Sequence, residues 1–195
     1  VIVEVYSLSV LSLVAVLACL LRWLYAPFQR RYLYWAMFIF GICFTNHQTL
    51  LLAAMGIEVI IALADHKLGR NVFLGNTILF LSGLVLKGAG LIFTDTSPAI
   101  YTMFVMVGVL SITAYIWLAV VTRESFLELC RDAALAAAFL FLCASRTKIG
   151  NIGVFLGVVS LAGFCYLAWQ TRKVGTEWLV VVFCALLWIA GAAFY

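Results

Sequence analysis

Apolar residues fill long stretches of this chain, and short polar breaks separate them. The apolar segments are Val5–Leu24, Leu33–Ala64, Val72–Phe93, Ala99–Val121, Ala133–Ser145, Ile152–Trp169 and Glu177–Tyr195. A helix that crosses a bilayer needs about 20 consecutive apolar residues, and most of these segments come close to that length. Transmembrane β-strands alternate apolar and polar residues, whereas the runs here are continuous. The pattern predicts an all-α fold, a polytopic transmembrane helical bundle.

The segment Leu33–Ala64 is too long for one ordinary span and short for two. Its middle carries five polar residues in a row, TNHQT at positions 45–49. Two interpretations follow. The segment is either one long helix or a hairpin of two short helices that meet at the polar residues.

The distribution of basic residues favours the hairpin. With a hairpin, one side of the membrane holds Arg22, Arg30, Arg31, Lys67, Arg70, Arg123, Arg131, Arg172 and Lys173. The other side holds only Arg146 and Lys148, together with the acidic Asp95. Cytoplasmic loops carry the excess of Lys and Arg. The polar cluster and Glu4 are therefore predicted on the outer face, and Thr122–Asp132 is predicted to be a cytoplasmic connector lying on the membrane surface.

Composition excludes several classes of protein. The chain is 67% hydrophobic and 10% charged, while soluble domains are about half apolar and a quarter charged. The net charge of +4 is spread over short breaks, so no nucleic-acid partner is predicted. Six cysteines form no CxxC pair, and no nucleotide-binding or HExxH motif occurs, so neither a metal nor a cofactor is expected.

No soluble domain interrupts the apolar segments, so residues 1–195 are predicted to form a single transmembrane domain. The chain starts with Val1 rather than Met and ends at Tyr195 within an apolar run. We therefore expect an internal fragment of a longer protein.

Ionisable residues inside predicted spans are the first candidates for function, because burying them in lipid is costly. They are Glu4, His47, Glu58 and Lys87. His47 and Glu58 share a helix face but are separated by about 16 Å along the axis, so they cannot exchange a proton directly. Lys87 could pair with Glu58, bind a lipid phosphate or extend to the outer interface. Asn46 and His47 could bind a ligand or satisfy the backbone at the hairpin tip.

Two motifs resemble a known family. One is the run 4–8 (EVYSL), which opens a span ending in Leu21-Arg22-Trp23, and the other is the run 41–50 (GICFTNHQTL). In this order they resemble an uncharacterised multi-spanning membrane family. That family is related to eukaryotic transmembrane protein O-mannosyltransferases and to the GT-C class of glycosyltransferases. The resemblance covers residues 1–70.

The resemblance implies a GT-C-like fold and a membrane glycosyltransferase. Such an enzyme would transfer a sugar from a polyprenyl-phosphate donor to an outward-facing protein or glycan acceptor. The catalytic base would lie in a loop preceding Val1, so the chain itself is expected to hold no catalytic residue. Glu4, Asn46, His47 and Lys87 are the substrate-binding candidates. Membrane lipid is a further partner, and the expected location is multi-pass, in a bacterial inner membrane.

Two other classes of function remain open. Broken helices with polar residues at the break are typical of transporters, so the chain could be part of a transporter or permease. A transporter should repeat the hairpin later in the chain, and no repeat is seen. A non-catalytic membrane scaffold is the third possibility.

Overall fold

The structure, a computed structural model, describes residues 2–46, 51–94, 96–147, 149–171 and 175–193. Its helices are α1 (Ile2–Tyr25), α2 (Arg31–Asn46), α3 (Leu51–Ala64), α4 (His66–Gly88), α5 (Pro98–Val121), α6 (Phe126–Ala144), α7 (Asn151–Thr171) and α8 (Gly175–Ala192). No β-strand occurs in these ranges. The predicted all-α fold class is confirmed.

Three of the described helices are long and apolar enough to cross a membrane, as judged by length and composition. They are α4 with 23 residues, α5 with 24 and α7 with 21. Shorter apolar stretches lie in α1, α2, α3 and α8. The prediction of a membrane protein is confirmed, and the number of crossings remains a prediction.

The segment Leu33–Ala64 contains two described helices. Helix α2 is described as far as Asn46 and helix α3 from Leu51 onward. Residues 47–50 lie outside the described residues. Whether the segment is one long helix or a hairpin of two short helices therefore stays a prediction.

The chain divides into two compact units. The first comprises Val1–Gly69 and Thr176–Tyr195, and the second comprises Arg70–Gly175. In the first unit α1 packs against α2 and α3. Val16, Leu20 and Trp23 of α1 are fully buried, and their spacing of four and three residues places them on one helix face.

Helices α2 and α8 of the first unit touch through two glycines. A Cβ atom added to Gly41 would overlap the backbone carbonyl oxygen of Trp188, and one added to Gly191 would overlap that of Phe38. Small residues let helix backbones approach closely in membrane proteins. No larger residue fits at either position unless the helices move apart.

The second unit repeats this principle at two contacts. Phe80 of α4 packs against Gly108 of α5, and Phe104 of α5 packs against Gly83 of α4. Gly153 and Gly157, spaced four apart on α7, lie against α6. Glycine spacing of this kind is common at helix contacts in membranes.

The second half of the predicted connector Thr122–Asp132 is helical, and its place at the membrane surface stays a prediction. Helix α6 begins at Phe126 and continues without a break to Ala144, so its first two turns belong to the same helix as the apolar run. A capping box fixes this start: the Ser125 hydroxyl accepts from the Glu128 backbone N–H, and the Glu128 carboxylate accepts from the Ser125 N–H. Such a box satisfies two of the free amides of a first turn.

Candidate functional site

The four predicted substrate-binding residues fall on different helices. Glu4 lies in the first turn of α1, and Asn46 is the last residue of α2; their side chains lie outside what the structure describes. His47 lies outside the described residues altogether. Whether these three residues meet in one pocket therefore stays a prediction.

Lys87 lies in the last turn of α4. Its Nζ is 2.9 Å from the centre of the Tyr101 ring, a cation–π contact. The same ring contacts Phe93 edge-on, with 6.0 Å between centroids. Lys87 belongs to the second unit and Glu58 to the first, so their predicted pairing remains untested.

A cluster of charged side chains lies inside the second unit, and we call it the charge cluster: Arg70, Glu124, Arg131 and Asp132. Their side chains are between 1% and 6% exposed. Glu124 Oε1 is 2.9 Å from Arg70 Nη1 and 3.7 Å from Arg131 Nη2. Arg131 Nη2 lies 2.8 Å from Asp132 Oδ1. Two cations thus face two anions, which gives no net charge when all four are ionised.

The polar partners of the charge cluster come from α4, from α5 and from the turn that follows α5. Arg70 donates to Asn71 Oδ1 at 3.2 Å and to the Thr122 hydroxyl at 3.3 Å. The Tyr115 hydroxyl donates to Asp132 Oδ2 at 3.1 Å. Buried charges are tolerated when they are paired and hydrogen-bonded. The Arg70–Thr122 contact joins α4 to the end of α5, and the Tyr115–Asp132 contact joins α5 to α6.

Local backbone structure explains why Glu124 points into this cluster. Helix α5 ends in a Schellman motif, in which the N–H of Glu124 bonds to the Ala119 carbonyl and that of Arg123 to the Val120 carbonyl. Arg123 takes the left-handed conformation with φ of 51°, which costs about 1–2 kcal/mol for a residue with a Cβ atom. Ser125 then starts α6. Glu124 is thereby held between two fixed helix ends.

The environment of Glu124 disfavours its charged form. Burial is the largest cause, followed by the neighbouring Asp132 carboxylate, and together they raise the pKa of Glu124 to about 7 despite Arg70 and Arg131. Glu128, one turn further on, behaves oppositely. The hydrogen bond from the Ser125 backbone N–H, above all, lowers the pKa of Glu128. Of these two glutamates, only Glu124 titrates near neutral pH.

Sequence reasoning missed the charge cluster, because it assigned Arg70 and Arg131 to membrane-flanking loops. Both arginines lie within helices. One signal was present in the sequence. Ser125 followed three residues later by Glu128 is a helix-start signature, and it would have placed Arg131 and Asp132 inside α6. Among the described residues no group of His, Cys, Asp or Glu is arranged to hold a metal ion.

Comparison with known proteins concerns the first third of the chain. Residues 1–69 match the sequence model of a family described as Protein O-mannosyl-transferase TMEM260 N-terminal domain. The matched range contains both motifs and three of the four predicted binding residues: Glu4, Asn46 and His47. Searches of curated proteins and of solved structures found no match to this chain. Residues 1–69 are thus similar to the N-terminal domain of a membrane family of protein O-mannosyltransferases.

Proposed function

We propose that the chain is part of a GT-C-type membrane glycosyltransferase. It transfers a sugar from a polyprenyl-phosphate donor to an outward-facing protein or glycan acceptor. The observation that carries this proposal is the match of residues 1–69 to a protein O-mannosyltransferase family. Apolar helices of membrane-spanning length, α4, α5 and α7, agree with a donor held in lipid.

Sugar transfer from a lipid phosphate develops negative charge on the leaving phosphate. Hydrogen-bond donors aimed at that charge stabilise the transition state. The Asn46 amide donates two hydrogen bonds, and His47 donates in either charge state. Glu4, when ionised, only accepts hydrogen bonds, so it suits hydroxyl groups of the sugar or acceptor. Asn46 and His47 are therefore assigned to the phosphate, and Glu4 to the sugar or acceptor.

Lys87 is proposed as a further phosphate ligand. Its ammonium group rests on the Tyr101 ring, and a phosphate would be a stronger partner than an aromatic face. Lys87 lies beyond the matched residues, so its assignment rests on its charge within α4. The catalytic base is expected in the loop before Val1, and the bacterial inner membrane remains the expected location.

The proposal is tested with the full-length protein in proteoliposomes and a polyprenyl-phosphate mannose donor. His47→Ala should reduce transfer by about 10²–10³-fold, which is the typical loss when one transition-state donor is removed. His66→Ala is the matched control, because His66 is the other histidine of the chain and is exposed at the start of α4. It should keep wild-type transfer.

Two results would contradict the proposal at different levels. Normal transfer by His47→Ala would remove His47 from the site while leaving the enzyme assignment intact. Absence of transfer by the wild-type protein from any polyprenyl-phosphate sugar would contradict the assignment itself. Substrate counterflow across the same liposomes would then favour a transporter.

A further inference from the structure

The two carboxylates of the charge cluster differ in how many hydrogen-bond and ion-pair contacts they receive. Asp132 receives two contacts from Arg131 on Oδ1, at 2.8 and 2.9 Å, and the Tyr115 hydroxyl on Oδ2. Glu124 has one close contact, from Arg70 to Oε1. Its Oε2 is buried and meets no hydrogen-bond donor within the described part of the chain, and its side chain is 1% exposed. When two neighbouring carboxylates compete, the less satisfied one takes the proton, and here that is Glu124.

Each helix that faces Glu124 contributes a charged or titratable group. They are Arg70 from α4, Tyr115 from α5, and Glu128, Arg131 and Asp132 from α6. With Glu124 ionised, its Oε2 is a buried acceptor without a hydrogen-bond donor among the described residues, and it lies in the same cluster as the Asp132 carboxylate. A proton on Glu124 Oε2 turns this unpaired acceptor into a hydroxyl group and removes the repulsion from Asp132. The closed arrangement therefore favours the protonated carboxyl.

We propose that Glu124 is a proton-binding site that controls how tightly the adjoining ends of α4, α5 and α6 are held together. With the proton bound, the three ends stay packed around a dry charge cluster. When the proton leaves, water enters to solvate the carboxylate, and the loop 122–125 separates from the cluster. This site is independent of the proposed sugar transfer, because it lies outside residues 1–69 and its test does not use activity.

The direction of the pH effect follows from linkage. Burial raises the pKa of Glu124 to about 7 in the closed state, while 4.5 is its ordinary value in water. A raised pKa means that the closed state binds the proton more tightly than the open state. Closure is therefore most favourable below pH 4.5 and is lost progressively as pH rises through 7. Between about pH 6 and pH 8 the open population should rise about tenfold.

Hydrogen exchange reports this opening. The N–H groups of Thr122, Arg123 and Glu124 bond to carbonyl groups of α5, so they exchange only when the loop opens. The experiment uses the full-length protein in lipid nanodiscs and follows peptides covering residues 118–132 at pH 6, 7 and 8. Each rate is divided by the intrinsic chemical rate at that pH, and a peptide from α7 serves as internal reference.

Two variants separate Glu124 from its neighbour. Glu124→Gln mimics the protonated carboxyl, so the corrected exchange should lose its tenfold change and stay slow at pH 8. Glu128→Gln removes a charge four residues away but can still cap α6 through Ser125, so it should keep the pH dependence.

The wild-type titration decides the question even if Glu124→Gln does not fold. Corrected exchange of residues 118–132 that is constant from pH 6 to pH 8 would overturn the proposal. An unchanged pH dependence in a folded Glu124→Gln protein would overturn it equally. If the pH dependence were lost in Glu128→Gln but kept in Glu124→Gln, the proton would bind Glu128 instead, and the proposal would be overturned.

Discussion

Replacing Gly41 by alanine tests the closest helix contact of the first unit. The added Cβ atom would overlap the Trp188 carbonyl oxygen and lie 3.0 Å from the Ala192 backbone nitrogen. Both are backbone atoms, so no side-chain rotation relieves the contact. Helices α2 and α8 must separate by on the order of 1 Å, because ordinary carbon contacts are about 3.5–4.0 Å.

The free energy of this change has two opposing parts. Overpacking costs about 1–3 kcal/mol, and alanine recovers about 1 kcal/mol of helix propensity over glycine. A net loss of up to about 2 kcal/mol follows. At about 2–4 °C per kcal/mol for a chain of this size, the midpoint of thermal unfolding should fall by up to about 8 °C.

Gly56→Ala is the matched control, since it lies in α3 of the same unit with nothing within 4 Å of its added Cβ. It should raise the midpoint by a few degrees, because only the propensity gain of about 1 kcal/mol remains. The midpoint is measured by intrinsic fluorescence in detergent micelles. Equal shifts of the same sign in both variants would refute the close contact between α2 and α8. Gly41 also begins the run 41–50, so sugar transfer should fall with Gly41→Ala and not with Gly56→Ala.

Two further substitutions probe contacts of the second unit. Ser125→Ala removes the cap of α6 and should cost about 1 kcal/mol of unfolding free energy, whereas Ser125→Asp should retain most of it; equal losses in denaturant titrations would argue against the capping box. Tyr101→Leu should cost about 0.5–2 kcal/mol by removing the aromatic partner of Lys87. Tyr101→Phe keeps the ring face and should unfold like the wild type, so a loss in both variants would assign the effect to the hydroxyl group instead.

The charge cluster bears on how a membrane chain tolerates charge. Removing one partner of a buried pair leaves the other uncompensated, which typically costs 3–5 kcal/mol. In the second unit the paired groups come from distant parts of the chain. Arg70 and Glu124 are 2.9 Å apart although 54 positions separate them in sequence. Asn71 and Thr122 accept hydrogen bonds from the Arg70 guanidinium group and fix its position. Such a cluster fixes which helix ends meet, and Glu124 gives it a response to pH.

Local pattern alone determined much about this protein. Continuous apolar runs predicted an all-α membrane protein, because this signal depends only on neighbouring residues. The two motifs within 1–70 predicted a resemblance to an O-mannosyltransferase-related membrane family, and the match over residues 1–69 confirms that resemblance. Of the binding residues, the structure describes only the side chain of Lys87, and the sequence offered no reason to expect Tyr101 beneath it.

The tertiary structure decided where the charges go. The sequence placed Arg70 and Arg131 in loops, because hydropathy scores each charged residue alone and predicts that it is exposed to water. Arg70 pairs with Glu124 from a distant segment, and Arg131 pairs with Asp132, the next residue. Both arginines can be buried only once α4, α5 and α6 meet. Charge pairing across long sequence separations leaves no periodic signal in the chain. That is why the fold class followed from the sequence and the charge cluster did not.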